Sequence, residues 1–187
     1  MKMNQVFKEL RDAGVEINPQ EVKFSFPDAE KDFKELFNYY VPDYRHLKEY
    51  YQVIEWLKDN KGKGLALFGN TGQGKSIILK RILPYMFMNE KRLILHPIDA
   101  YKLTKEYKVS KYVVIDEVGN EPTFNDYGVK IELIRYIVDE AENMKSLLLL
   151  SGNLDGETFK KRYGEMIYNR IKAMCKIVFF KGENLRK

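Results

Sequence analysis

Leu65-Ala66-Leu67-Phe68-Gly69-Asn70-Thr71-Gly72-Gln73-Gly74-Lys75-Ser76-Ile77 decides how the chain is read. Four apolar residues lead into Gly69, and from there the sequence has the form G-x-x-x-x-G-K-S. The apolar run before it and Lys75-Ser76-Ile77-Ile78-Leu79 after it predict a buried strand, a glycine-rich loop and a helix, in that order. Backbone N–H groups of such a loop, with the positive end of the helix dipole, form a nest for phosphate oxygens. The glycines allow positive φ and close approach of the main chain to a ligand. Lys75 is placed to reach the β- and γ-phosphates, and the Ser76 hydroxyl to ligate Mg²⁺. The residues expected around ATP are therefore Gly69, Asn70, Thr71, Gly72, Gln73, Gly74, Lys75, Ser76 and Ile77. A glycine turn followed by an incidental Lys-Ser accounts for the letters but not for both flanks.

A second stretch answers the first. Tyr112-Val113-Val114-Ile115-Asp116-Glu117 is a β-branched run closing on two acids, which predicts a buried strand. An acid at the carboxyl end of a parallel strand beside the loop strand can hold the water shell of Mg²⁺, and Asp116 takes that position. Glu117, one residue on, can polarise an attacking water as general base. An apolar run ending in an acid is common in α/β proteins; downstream of a phosphate loop and with paired acids it becomes informative. Leu147-Leu148-Leu149-Leu150-Ser151-Gly152-Asn153 is a third buried run. Asn153 at its tip lies where it can touch both γ-phosphate and the lytic water, although propensity alone favours an ordinary turn-forming Asn.

With 187 residues, 44% hydrophobic and 32% charged, the chain reads as a globular domain with a modest extension. The net charge of +5 is compatible with nucleic-acid contact, but the cations are scattered rather than blocked. One cysteine, Cys175, excludes an internal disulfide framework, and two histidines leave little for zinc. No apolar run approaches the ~20 residues that cross a bilayer. The N-terminal stretch Met1 to Glu9 lacks the apolar centre of a signal peptide. These features predict a cytoplasmic, reducing location with no membrane contact.

In chain order, residues 1–42 read as an N-terminal extension and 43–187 as the core. Phe7 to Ala13 predicts a short helix stopped by Gly14, and Asn18-Pro19 and Phe26-Pro27 break the chain. Asp28 is a candidate cap for a second helix carrying Phe33, Leu36 and Phe37. Tyr39, Tyr40, Tyr44, Tyr50 and Tyr51 could stack on bases, but packing onto the core is the better expectation. Asp43 to Asn60 predicts a helix, and the helix after the phosphate loop is expected to fade near Pro84. Leu93 to Ile98 predicts a short strand, with His96 structural, and Asp99 to Lys108 has room for only about three helical turns. Val129 to Met144 predicts an amphipathic helix. Another helix starts at Asp155-Gly156-Glu157-Thr158, breaks near Gly164 and runs to Met174, before a last strand at Lys176 to Phe180. Strands alternating with helices imply a mostly parallel sheet covered on both faces, with nucleotide across the carboxyl ends of its strands.

From Leu65 to Arg186 the sequence resembles the DnaC/IstB-like helicase-loader ATPases, a branch of the AAA+ P-loop NTPases. Five landmarks fall in order: the GNTGQGKS loop, VVIDEVG at 113–119, SGNL at 151–154, RYGEMIYNRI at 162–171 and FFKGENLR at 179–186. The first is generic; the last two are more particular to loaders. The resemblance implies a five-stranded sheet, a short helical N-terminal extension and no large C-terminal lid domain. It also implies that Asn153 is sensor 1, that Arg170 is an arginine finger completing a neighbour's ATP site, and that Arg186 is a sensor 2 arginine. Guanidinium suits both arginine tasks because it stabilises phosphoryl-transfer charge and cannot deprotonate. Composition alone would leave both arginines on the surface.

Two departures stand out. Tyr163-Gly164-Glu165-Met166 lacks the arginine of the loader pattern Y-G-E-R, and the segment between His96 and Tyr112 leaves little room for an additional DNA-engaging helix. The implied activity is Mg-dependent ATP hydrolysis, weak in an isolated subunit, by a protein that assembles into a homo-oligomer in its ATP state. The implied partners are a replicative helicase or a transposase, with single-stranded DNA possible as a further ligand. An ATP-gated adaptor with negligible hydrolysis is the alternative. A small-molecule kinase is disfavoured, since paired acids at 116–117 suit water as acceptor and no arginine-rich lid is evident.

Overall fold

Strand β1 (Gly64–Gly69) is the hub of a five-stranded, all-parallel sheet in the computed structural model, which describes residues 3–14, 19–126 and 129–185. It pairs on one side with β6 (Leu147–Gly152) and on the other with β7 (Cys175–Phe180). Outside β6 lies β3 (Tyr112–Val118), and outside that the two-residue β2 (Ile98–Asp99), giving the order β2-β3-β6-β1-β7. The two runs singled out by their terminal chemistry, β1 and β3, thus flank β6, so all three carboxyl ends meet at one rim.

Period-two alternation sends the same strands into two apolar layers. Leu65, Leu67, Val114 and Leu149 face one way. They meet α3 (Lys48–Lys58), the π-helical segment Ile78–Ile82 that follows α4 (Lys75–Ile77), and α5 (Leu83–Lys91), through Ile54 and Leu57, Leu79, and Phe87 respectively. Ala66, Phe68, Val113, Ile115, Leu148 and Leu150 face the other way, against α6 (Leu133–Asn143), α7 (Gly156–Tyr163) and α8 (Glu165–Met174). Burial on both faces is why these strands read as unbroken apolar runs. Residues ahead of β1 join the first layer. Phe26, and Phe33 and Phe37 of α2 (Ala29–Tyr40), are fully buried there. Buried Asn60 stitches this segment down: Phe24 N–H donates to its Oδ1 (2.9 Å), and its Nδ2 donates to Val22 O (2.8 Å) and Lys63 O (3.0 Å). The α1 helix (Met3–Asp12) precedes them and ends before Gly14, at φ 79.

Several elements differ from the sequence reading. The helix after the phosphate loop does not fade at Pro84. It passes through a π-helical segment, Ile78–Ile82, and continues as α5 to Lys91. Leu83 N–H bonds back to Ile78 O, so the register has already widened where proline's missing N–H would be felt. The strand expected over Leu93 to Ile98 shrinks to Ile98–Asp99, because Arg92 closes α5 in the left-handed region and Pro97 cannot donate to a ladder. Beyond it only the 3₁₀ turn Ala100–Lys102 forms. The helix expected from Asp43 starts at Lys48, since Asp43 sits at φ 58 and the chain turns, with Tyr44 N–H on Val41 O. The helix expected from Val129 starts at Leu133, and β5 (Val129–Ile131) instead pairs antiparallel with β4 (Phe124–Asp126). The Val-Lys-Ile alternation is a strand period, which the longer helical window hid. Asp28 stands at the N-cap of α2 without a side-chain cap bond, whereas Asp155 does cap α7, accepting from Thr158 N–H at 2.7 Å. The tyrosines divide: Tyr44 and Tyr50 pack on Phe37, while Tyr39 and Tyr51 are exposed.

Because Phe33 is wholly buried and Tyr39 is 77% exposed on the same helix, their truncations should separate cleanly. Urea unfolding should show Phe33→Ala destabilised by about 3–5 kcal/mol and Tyr39→Ala by about 0.5 kcal/mol or less. Equal, small effects would mean that α2 is not part of the folded core.

Candidate nucleotide-binding site

The loop from Gly69 to Gly74 leaves β1 and returns as α4, with Gly74 in the left-handed region at φ 79. A Cβ at Gly74 would stand 2.6 Å from Phe37 Cζ and 2.8 Å from Tyr50 Oη, so only glycine fits under those rings. Tyr50 Oη donates to Gln73 O (3.1 Å), and its burial holds the phenol well above the ordinary tyrosine range. On its other flank the loop is tied to the segment after β7. Asn70 N–H donates to Phe180 O (2.9 Å), Asn70 Nδ2 to Gly182 O (2.9 Å), Gln73 Nε2 to Glu183 O, and Leu185 N–H to Gly72 O (3.3 Å). Lys75, only 5% exposed, donates to Gly69 O (2.9 Å) and Asn70 O (2.5 Å), which aims its ammonium along the inside of the loop.

Asp116 ends the regular part of β3 and is 1% exposed. Its Oδ1 accepts from Ser76 Oγ at 3.1 Å and from Ser151 Oγ of β6. Its Oδ2 lies 3.7 Å from Lys80 Nζ, whose 2.5 Å bond goes to Asp99 Oδ1. Asp99 and Asp116 are register partners across β2 and β3, so Lys80, from the π-helical segment, bridges two neighbouring carboxylates. The hydrogen bond between them raises Lys80 above and lowers Asp99 below their ordinary pKa values. The register of β3 then slips, between Ile115 and Val118, and Glu117 takes φ 60. A non-glycine residue in that region costs about 1–3 kcal/mol and marks places where a side chain is re-aimed. Glu117 lines the cleft beside Asp116.

That cleft, about 700 Å³, is of the size that takes a small-molecule ligand. Lys75, Ser76, Asp116, Glu117 and Asn153 line it together with Val41, Tyr44 and Arg45. Among the described residues no group of three or more His, Cys, Asp or Glu could hold a metal. A hydroxyl and a carboxylate 3.1 Å apart match adjacent corners of an Mg²⁺ octahedron, about 2.9 Å for bonds of 2.0–2.1 Å. The donor set fits an Mg²⁺ that brings waters and phosphate oxygens as its other ligands.

Sequence-derived residues 69–77, Asp116, Glu117 and Asn153 thus gather at one rim. Arg170 lies on α8 outside the cleft lining, paired with Asp139 and, at 3.1 Å, with Glu142 of α6. Arg186 lies outside the described residues. Ser151, Lys80 and Asp99 went unnoticed in the sequence. Ser151 was detectable as the first polar residue closing a buried run; Lys80 and Asp99 meet only through the fold.

No helix among the described residues is long and apolar enough to cross a membrane. No protein-family model and no curated protein matches the chain. Solved structures do, and two of them illustrate the likeness. The crystal structure of the DnaC helicase loader aligns with a TM-score of 0.52 and 17% identity, over 84% of this chain and 93% of that one. That of a candidate primosome component from Streptococcus pyogenes serotype M3 aligns with a TM-score of 0.51 and 14% identity, over 84% and 82%. At these identities the likeness is one of fold: the chain has an α/β P-loop NTPase fold similar to that of DnaC.

Proposed function

We propose that the protein binds Mg²⁺ and ATP in this cleft and hydrolyses the nucleotide, and that nucleotide state governs its assembly with a partner in DNA replication or transposition. The carrying observation is that Lys75, Ser76, Asp116 and Glu117 line one cleft, with Ser76 hydrogen-bonded to Asp116. In this reading loop amides and Lys75 bind the phosphates, and Ser76 and Asp116 hold the metal, which neutralises phosphate charge. Glu117 accepts the proton of the attacking water, Asn153 positions that water, and Val41, Tyr44 and Arg45 border the base. The fold shared with a helicase loader supports a replicative helicase as partner, with a transposase and single-stranded DNA as further candidates. Arg170 completes the site of a neighbouring subunit in an ATP-state homo-oligomer, and Arg186 contacts nucleotide in its own subunit.

A second reading, an ATP-gated adaptor with negligible turnover, is favoured by one observation. Arg170 already pairs with Asp139 and Glu142 of its own chain, and reaching a neighbour's phosphates means giving up both carboxylates.

Equilibrium binding of a fluorescent ATP analogue should be lost in Lys75→Ala and retained in Glu117→Gln, whose hydrolysis should fall about 100-fold or more. Wild-type behaviour of Lys75→Ala would refute the site. Turnover per subunit should climb with protein concentration and collapse in Arg170→Ala by about 1,000-fold, with or without single-stranded DNA. Flat, near-zero turnover beside intact ATP binding would select the adaptor. In Lys80→Met the Mg²⁺ concentration that half-saturates analogue binding should drop about fivefold, because a competing cation 3.7 Å from Asp116 is gone. An increase would instead assign Lys80 to holding Asp116 in place.

A further inference from the structure

Helix α2 has two faces with different fates. Ala29, Phe33 and Phe37, at i, i+4, i+8, are buried in the core. Asp32, Glu35, Leu36, Tyr39 and Tyr40 follow the same helical spacing on another side and line one wall of a groove of about 460 Å³. The opposite wall is Tyr85 and Asn89, one turn apart on α5. Tyr39 and Tyr85 are 77% and 53% exposed, and Tyr39 stacks edge-to-face on Tyr40 at 5.1 Å between centroids. Grouped exposed aromatics of this kind are characteristic of binding surfaces rather than of ordinary solvated faces.

The charge around the groove selects the occupant. In a chain whose net charge is +5, this face is acidic. Asp32 and Glu35 line it, and Asp28 and Glu90 act on Asp32 with the same sign. Burial and those neighbours raise the Asp32 pKa, with sequence-adjacent Lys31 opposing them. Of the other cations, Lys34 pairs with Glu30 (2.7 Å), Lys58 pairs with Glu55 (2.7 Å) and Lys91 lies over the Phe26 ring (5.1 Å), while exposed Arg81, four residues before Tyr85, is outside the groove lining. Carboxylates repel a phosphate backbone, which removes the case for these tyrosines as a base-stacking platform. Aromatic faces beside carboxylates instead suit a guanidinium or ammonium, through cation–π contact and charge-assisted hydrogen bonds.

We propose that the groove between α2 and α5 is a docking site for an arginine- or lysine-bearing segment of a protein partner. The surface stands apart from the nucleotide cleft chemistry, so its test does not depend on ATP hydrolysis.

The probe is a short fluorescein-labelled peptide of alternating arginine and leucine, with a glutamate–leucine peptide as control, read by anisotropy against the full chain. The arginine peptide should bind and the glutamate peptide should not. Combined Asp32→Asn and Glu35→Gln, and separately Tyr85→Ala, should each weaken binding about tenfold. Glu157→Gln, an exposed acid on α7 across the sheet, should leave binding unchanged. The carboxamide changes are near-isosteric and at the surface, so they keep the test informative if Tyr85→Ala fails to fold. Equal binding by all variants would overturn the proposal. So would displacement of the peptide by oligothymidylate in a Tyr39-dependent way, or a groove whose variants alter only self-association in sedimentation velocity.

Discussion

A carboxylate shut away from water governs the layout of this molecule. Asp116 is almost fully buried at the end of β3, and an uncompensated charge there would cost several kcal/mol. Its compensation comes from three other elements: Ser76 at the start of α4, Ser151 of β6 and Lys80 of the π-helical segment. Each partner fixes one relation. Ser76 sets the distance from the phosphate loop to β3, Ser151 bridges them through the strand between, and Lys80 brings in Asp99 of the edge strand. The same atoms that satisfy the carboxylate are those that a metal ion and its waters would take over. The site is therefore preorganised by the requirement of burying a charge rather than by a rigid cage.

The loop is held from two sides by different means. Beneath it, Phe37 and Tyr50 press so closely that Gly74 has no room for a side chain. Beside it, the main chain after β7 is hydrogen-bonded to Asn70 and Gly72, and Asn184 Oδ1 lies 1.7 Å from where a Cβ on Gly72 would be. Gly72 and Gly74 therefore answer two packing constraints as well as the phosphate nest. The segment 181–185 is exposed yet anchored to the loop, so a displacement of the loop would be felt there.

How much of this was legible in the sequence follows from how local each cause is. The phosphate loop, the acid-ending strand and the polar tip of β6 are written in consecutive residues, because a buried parallel strand is an apolar run and its chemistry sits at its end. The Asp155 cap and the break at Gly164 were equally local. What escaped depends on partners distant in sequence or on competing periods. Lys80 reads as a surface lysine on a helix until the π register turns it toward Asp99 and Asp116. Pro84 reads as a helix end until the same widened turn removes the conflict. Val129 to Ile131 fits a helical window and a strand alternation alike, and only pairing with Phe124 to Asp126 selects the strand. Arg170 carries no sign in the sequence of the two carboxylates that hold it.

The tyrosine-rich stretch shows why aromatic density alone does not name a ligand. Phe37 and Tyr39, two residues apart on α2, serve opposite surfaces: the first packs under the phosphate loop at Gly74, the second opens onto the acidic groove. A rigid helix cannot shift one of these faces without shifting the other, since its residues are fixed relative to one another by the backbone ladder. A displacement of Phe37 at Gly74 would therefore carry Tyr39 and Tyr40 with it. But α5 continues from the helix that the loop itself starts, so both walls of the groove trace back to the phosphate-binding loop, one by packing and one by covalent continuity.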